Sequence, residues 1–271
     1  MTWFSFKKKQ PVIGLTLSGG GMRGVAHIAI LKALEEFGLR PQILSGTSAG
    51  AIIGAFYSAG YTPDKMRTIV EQATFFSRSS FRLGTTGIFN PSFLIKLFAQ
   101  YFSEDNFSVL KIPLYVASTE ITHGRLEYFS DGKLFQALLA SSSIPYIFPP
   151  IRIGSKVYMD GGILNNLPIE PIYNKCDFLI GSHMNALVYD DMRKISARKV
   201  FDRVIHLAIG STIDKKGRAC DIFFNPDGMT QYSLFDKKGV PDMLDRVYNY
   251  AVKLLEEKGY QRPAANSNLK I

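Results

Sequence analysis

The chain has 271 residues, 46% of them hydrophobic, and a formal charge of +9. That length and apolar content suit one large domain with a substantial core, while two cysteines and four scattered histidines exclude a disulfide framework and any zinc-binding spacing. No apolar run reaches the roughly 18 residues of a membrane-spanning helix, and Met1 to Gln10 lacks the apolar core of a secretory signal, so the expected setting is cytoplasmic with peripheral membrane contact.

Two strand-like apolar runs, Ile13 to Leu17 and Gln42 to Leu44, each lead through a glycine motif into a helix-like run, Met22 to Phe37 and Ala49 to Ala59. The first motif is S-G-G-G-M-R-G (Ser18 to Gly24) and the second G-T-S-A-G (Gly46 to Gly50). A serine in G-x-S-x-G occupies a strained strand-to-helix turn that projects its hydroxyl at the carboxyl edge of the sheet. Ser48 is thus the candidate nucleophile, with Gly46 and Gly50 allowing close packing around it. The Ala49 N–H opens a helix without an intrahelical partner. With amides of Gly19, Gly20, Gly21 and Met22 it forms a candidate oxyanion hole. Arg23 sits near a helix start, where its charge opposes the dipole; it either binds an anionic group, holds the loop, or is an exposed cation. Gly19, Gly21 and Gly24 also satisfy a dinucleotide fingerprint, which expects an acidic residue at the end of the next strand. Leu44 and Ser45 stand there instead.

Farther on, Phe75, Phe76, Phe81, Phe89, Phe93, Phe98, Phe102 and Phe107 form an aromatic-rich segment. Pro91 to Phe102 has helical spacing. Most of these rings are expected in the core, with Phe93 and Phe98 lining an acyl groove under a mobile cap that contains Gly84 and Gly87. Pro113 to Gly132 reads as two strands joined by a polar turn. Lys156 to Met159 is a strand ending in Asp160, which begins D-G-G-I-L-N-N-L-P. Asp160 is the candidate base for Ser48, although Asp-Gly-Gly is also ordinary turn chemistry. His183 or His206 would complete a Ser, acid, His order. His206 lies in Val204 to Ile209, which reads as a buried strand like Cys176 to Gly181, and His27 and His123 are expected to be structural or solvent-facing. Val240 to Gly259 is an amphipathic helix with Leu244, Val247, Ala251, Leu254 and Leu255 on one face. Alternating apolar runs and helices favour a mainly parallel sheet flanked by helices.

Basic residues recur at Lys7 to Lys9, at Arg193, Lys194, Arg198 and Lys199, and at Lys215, Lys216 and Arg218. Each near-surface cation adds about 1 kcal/mol of attraction to an anionic lipid surface. Trp3, Phe4 and Phe6 beside the first cluster form either an interfacial anchor or a frayed terminus. No nucleic-acid-binding module is recognisable.

The ordered trio Gly19 to Gly24, Gly46 to Gly50 and Asp160 to Gly162 resembles the patatin-like phospholipase family, which pairs a G-G-G-x-[RK]-G loop, a G-x-S-x-G elbow and a D-G-[GA] acid. Ala140 to Pro150 and the Pro113 to Gly132 hairpin extend the resemblance. It implies a three-layer α/β/α fold with a mainly parallel central sheet over residues 11–262, between an N-terminal basic and aromatic segment (1–10) and a tail (263–271). It further implies a serine hydrolase of phospholipase A or lysophospholipase type, with Ser48 carrying the acyl group, Asp160 activating it without histidine, and no metal or organic cofactor. Arg23, Gly24, Gly46, Gly50, Gly161 and Gly162 take supporting roles. The implied partner is a lipid or other acyl ester, with contact to an anionic membrane and none to nucleic acid. The same site would serve acyl transfer or thioester hydrolysis, and a non-catalytic lipid-binding protein is the alternative outside enzymes.

Overall fold

A computed structural model describes residues 10–72, 92–186, 213–232 and 239–263, together with Ile195, Val200, Arg203, Leu207 and Gly210. In chain order its elements are β1 (Ile13–Leu17), α1 (His27–Glu36), β2 (Ile43–Thr47), α2 (Ala49–Ser58), α3 (Pro63–Gln72), α4 (Ser92–Tyr101), β3 (Leu114–Glu120) and β4 (Arg125–Phe129). There follow α5 (Leu134–Ser141), β5 (Ile151–Ile153), β6 (Lys156–Asp160), α6 (Glu170–Tyr173), β7 (Phe178–Ser182), α7 (Ile213–Arg218), β8 (Ile222–Phe224) and α8 (Val240–Glu257). Eight strands form one sheet in the order β5-β6-β3-β2-β1-β7-β8, with β4 added to β3. The centre is parallel, from β3 through β2, β1 and β7 to β8. β4, β5 and β6 join antiparallel.

Alternation along each strand sends neighbouring side chains to opposite faces, and the core divides accordingly. Ile43 and Leu179 join Leu167, Ile172 and Ile213 under α6 and α7. Their neighbours Leu44 and Ile180 face the larger cluster shared with α1, α2, α4, α5 and α8. The result is three layers, helix, sheet and helix. β1 and β2 are buried at every position, their apolar residues interspersed with glycine, serine and threonine. Val240, Met243, Leu244, Val247, Ala251 and Leu255 bury one face of α8, while Leu254 is only partly covered.

Two sequence expectations change. The run Met22 to Phe37 is not one helix: Gly21–Ala26 forms a 3-10 turn before α1, with Gly21 at φ 53, so the loop tightens before the α-helix begins. Within Val204 to Ile209 only Leu207 is described, and it is helical and 47% exposed, not part of a buried strand. Two short edge-region strands, β5 and β8, were not legible in the sequence.

The register around β3 builds the site. β2 runs parallel to β3 and ends with Thr47 opposite Ala117. β6 runs antiparallel and ends with Asp160 opposite Ser118. Because β4 occupies the other edge of β3 over Val116 to Glu120, β2 and β6 share one edge and meet end to end. Ser48 and Asp160, the residues at the two ends, are thereby brought together. Gly161 turns the chain away at this junction, where an added Cβ would lie 2.3 Å from Ala117 O. Gly161→Ala is expected to cost about 1–3 kcal/mol through forced backbone movement and to displace Asp160; a lowered melting temperature with lost activity checks this.

Candidate active site

Ser48 lies between β2 and α2 at φ 54 and ψ −125 and is 4% exposed. A non-glycine residue held at such angles stores on the order of 1–3 kcal/mol. The packing that holds it is close: a Cβ at Gly50 would sit 2.5 Å from Leu17 O and Ser18 O, so α2 rests directly on the end of β1.

Asp160 is buried. The Ser48 hydroxyl lies close enough to its carboxyl to lower its pKa, and its Oδ1 accepts the Gly162 N–H at 2.7 Å. Burial pushes the Asp160 carboxyl up to about 6, and the Ser48 hydroxyl and the Gly162 N–H hold it from rising further. A carboxyl in that range is ionised at neutral pH yet basic enough to accept a proton.

The glycine loop is fixed at its ends. Ser18 N–H donates to Ser182 O at 2.9 Å and Gly19 N–H to Asn166 O at 3.2 Å, while Asn185 Nδ2 donates to Gly19 O at 2.7 Å. Gly19 therefore anchors the loop, and its amide is not free to meet an oxyanion, contrary to the sequence expectation. The amides of Gly20, Gly21, Met22 and Ala49 take no backbone partner among the described residues. Arg23 donates from Nε to Tyr232 O at 2.9 Å and from Nη2 to Thr230 O at 3.4 Å, so of the roles open to it the structure gives it that of a clamp on the loop.

The histidines stand apart from this pair. His27 is fully buried, with Nδ1 2.8 Å from Ser182 Oγ and Nε2 2.8 Å from Ser18 O. A carbonyl only accepts, so Nε2 carries the proton, and burial lowers the ring pKa to about 4. His27 is a neutral brace beneath the loop. His183 pairs through Nδ1 with Asn225 Oδ1 at 3.0 Å and stacks on Phe223, and makes no hydrogen bond to Ser48 or Asp160. His123 caps the β3–β4 turn against Glu120 at 2.8 Å.

Beside Ser48 lies a cavity of about 140 Å³ lined almost wholly by apolar side chains, among them Met22, Ile52, Met66, Leu97 and Phe148, with Gly21, Ser48 and Ala49 also on its wall. A cleft lined this way admits a hydrocarbon chain. Phe93 lines it. Phe98 does not: it is fully buried and packs on Phe102 and Phe135, as core. The cap expected around Gly84 and Gly87, with Phe75, Phe76, Phe81 and Phe89, lies outside the described residues, as do Trp3, Phe4, Phe6, Lys7 to Lys9, Arg193, Lys194, Arg198, Lys199 and His206.

One residue of the basic clusters belongs to the site's support instead of to a charged surface. Lys216 bonds to Asn165 Oδ1, to Leu167 O at 3.1 Å and to Glu170 Oε1 at 2.7 Å. Thr47 Oγ1 donates to Asn165 O at 2.9 Å and Ser45 Oγ to Pro168 O at 2.6 Å. The turn after Asp160 is thus fastened to the strand before Ser48. Asp-Gly-Gly pointed to a tight turn; no local signal pointed to Lys216, 51 residues beyond Asn165. Among the described residues no group of His, Cys, Asp and Glu side chains could hold a metal ion, and no helix is long and apolar enough to cross a membrane.

The profile described as patatin-like phospholipase matches residues 15–173, more than half of the chain. Lysophospholipase NTE1 of Cryptococcus neoformans var. neoformans is 33% identical over 174 residues, covering 59% of this chain and 10% of that protein. Human patatin-like phospholipase domain-containing protein 6 is 33% identical over 166 residues, 58% of this chain and 12% of that protein. The match therefore spans about a tenth of the length of these curated relatives. Among solved structures, VipD from Legionella pneumophila superposes with a TM-score of 0.55 at 15% identity, over 92% of this chain and 67% of that one, a likeness of fold.

Proposed function

Because the chain belongs to the patatin-like phospholipase family, we propose that it hydrolyses acyl esters of lipids, in the manner of a phospholipase A or lysophospholipase, through a Ser48–Asp160 dyad within residues 11–262. The observation that carries this is that buried Ser48, on the wall of an apolar cavity, is brought beside buried Asp160 where β2 and β6 end on β3. Asp160 takes the hydroxyl proton as Ser48 Oγ attacks the ester carbonyl. The oxyanion rests on amides of Gly20, Gly21, Met22 and Ala49. On collapse, the ester C–O bond breaks, Asp160 returns the proton to the leaving alkoxide, and the acyl group stays on Ser48. Water then attacks with Asp160 again as base, releasing the fatty acid and restoring the serine. The cavity takes the acyl chain, and the names of the relatives support a phospholipid or lysophospholipid substrate. The charge of +9 supports contact with an anionic lipid surface.

Incubation with lysophospholipid, diacyl phospholipid, an acyl thioester and an added alcohol acceptor separates the readings. Free fatty acid as the main product from the lipid esters is expected. Acyl transfer to the acceptor, or turnover of the thioester alone, would move the assignment to those reactions, and no turnover of any substrate by folded protein would contradict an enzyme. Ile52→Phe narrows the cavity; excluding two to three methylenes at about 0.8 kcal/mol each predicts a roughly fifteen- to sixtyfold loss of kcat/KM for long chains, with short chains little affected.

A further inference from the structure

The nucleophile's own backbone is held by a side chain outside the glycine loop, the serine elbow and the acid motif. Leu44 N–H donates to Pro113 O at 2.9 Å. In a parallel ladder alternate residues donate to the same neighbouring strand, so the register Gly46 to Val116 and Thr47 to Ala117 would next carry Ser48 N–H onto Ala117 O. That bond is not made. Ser141 Oγ stands between the two groups, accepting Ser48 N–H at 2.8 Å and donating to Ala117 O at 2.6 Å. Ser141 is fully buried at the end of α5. Its hydroxyl completes both partners while keeping Ser48 one hydroxyl's width away from β3, where the elbow's positive φ becomes accessible. Two residues on, Ser143 O accepts Asp160 N–H at 2.9 Å. The end of α5 thus grips both members of the pair.

We infer that Ser141 is a positioning residue whose inserted hydroxyl sets the spacing between Ser48 and Asp160. The inference rests on the dyad proposed above. Without the hydroxyl, Ser48 N–H and Ala117 O are either stranded or drawn together, and in both cases Ser48 Oγ shifts from the carboxylate. A displacement of about 1 Å at a reacting group costs up to roughly 100-fold in rate.

The test compares Ser141→Ala and Ser141→Thr with the parent, in full-length folded protein, on a lysophospholipid. Ser141→Ala is expected to lower kcat about 10- to 100-fold with KM nearly unchanged. Because the nearby Ser48 hydroxyl lowers the Asp160 pKa, its withdrawal should also move the inflexion of the rate upward from pH 6. Ser141→Thr keeps the hydroxyl and restores most of the rate. If Ser141→Ala does not fold, Ser141→Cys, which keeps the volume but bonds weakly, is read by the same criteria. Parent kcat and pH profile in a folded Ala or Cys variant would overturn the inference, and so would equal losses in Ala and Thr with an unmoved profile, which mark a packing role. A parent that neither turns over lipid esters nor reacts at Ser48 would instead overturn the dyad.

Discussion

Ser48→Ala will abolish lipid-ester turnover, lowering kcat by about four to six orders of magnitude, with the fold intact. Removing an attacking hydroxyl leaves only the contribution of the oxyanion donors and substrate binding. The size of the loss separates two chemistries that the same pocket allows. If Asp160 instead activated a water to attack the ester directly, Ser48 would be only a hydrogen-bond partner of the carboxylate, and its replacement would cost far less. Initial rates of fatty acid release, with urea unfolding to verify the fold, decide between them. The variant stays folded because Ser48 contributes no large apolar area, and alanine keeps the same backbone at a site where α2 and Ser141 hold the turn.

Asp160→Asn will lose most activity, about 10³-fold or more on the scale of general-base removal, and will gain stability with rising pH. A carboxyl whose pKa rises on folding binds its proton more tightly in the native state, so ionising it costs native stability. With an ordinary value near 3.9 and about 6 in the fold, that cost is absent below about pH 4, grows between the two values, and is complete above about pH 6. Its full size is on the order of 3 kcal/mol. Asparagine cannot ionise, so the difference between variant and parent should be small at pH 4 and favour the variant at pH 8. Urea midpoints at the two pH values measure it. The parent's rate should rise through a single inflexion near pH 6, since only the ionised carboxylate accepts the serine proton. A parent less stable than its inactive variant at pH 8 would mark Asp160 as a group kept for chemistry at a cost to the fold.

The parts of this fold that were legible in the sequence are those written in local chemistry. β1 and β2 are buried on both faces, and glycines follow each of them; the β3–β4 hairpin and α8 carry their own periodicity. Asp160 was ambiguous because what distinguishes a base from a turn residue is the register at Ala117 and Ser118, more than 40 residues away. The same holds for the other corrections. Gly19 looked like an oxyanion donor until Asn166 took its amide, and Phe98 shared helical spacing with the cavity wall yet turned toward Phe102 and Phe135. Arg23 could be assigned only once Thr230 and Tyr232 were placed beside it. Lys216 left no trace in local pattern, and Ser141, though within Ala140 to Pro150, showed no role there, since a single hydrogen-bonding side chain acquires its meaning from the strands it joins.

The central claim is that Ser48 is an activated nucleophile and Asp160 its base. Labelling with a fluorophosphonate ester, followed by intact mass and peptide mapping over pH 5 to 8, tests it most directly. One adduct per chain, on Ser48, formed at a rate that rises through about pH 6 and falls steeply in Asp160→Asn, is the predicted result. No adduct on the folded parent, or an adduct that persists in Ser48→Ala, would contradict it.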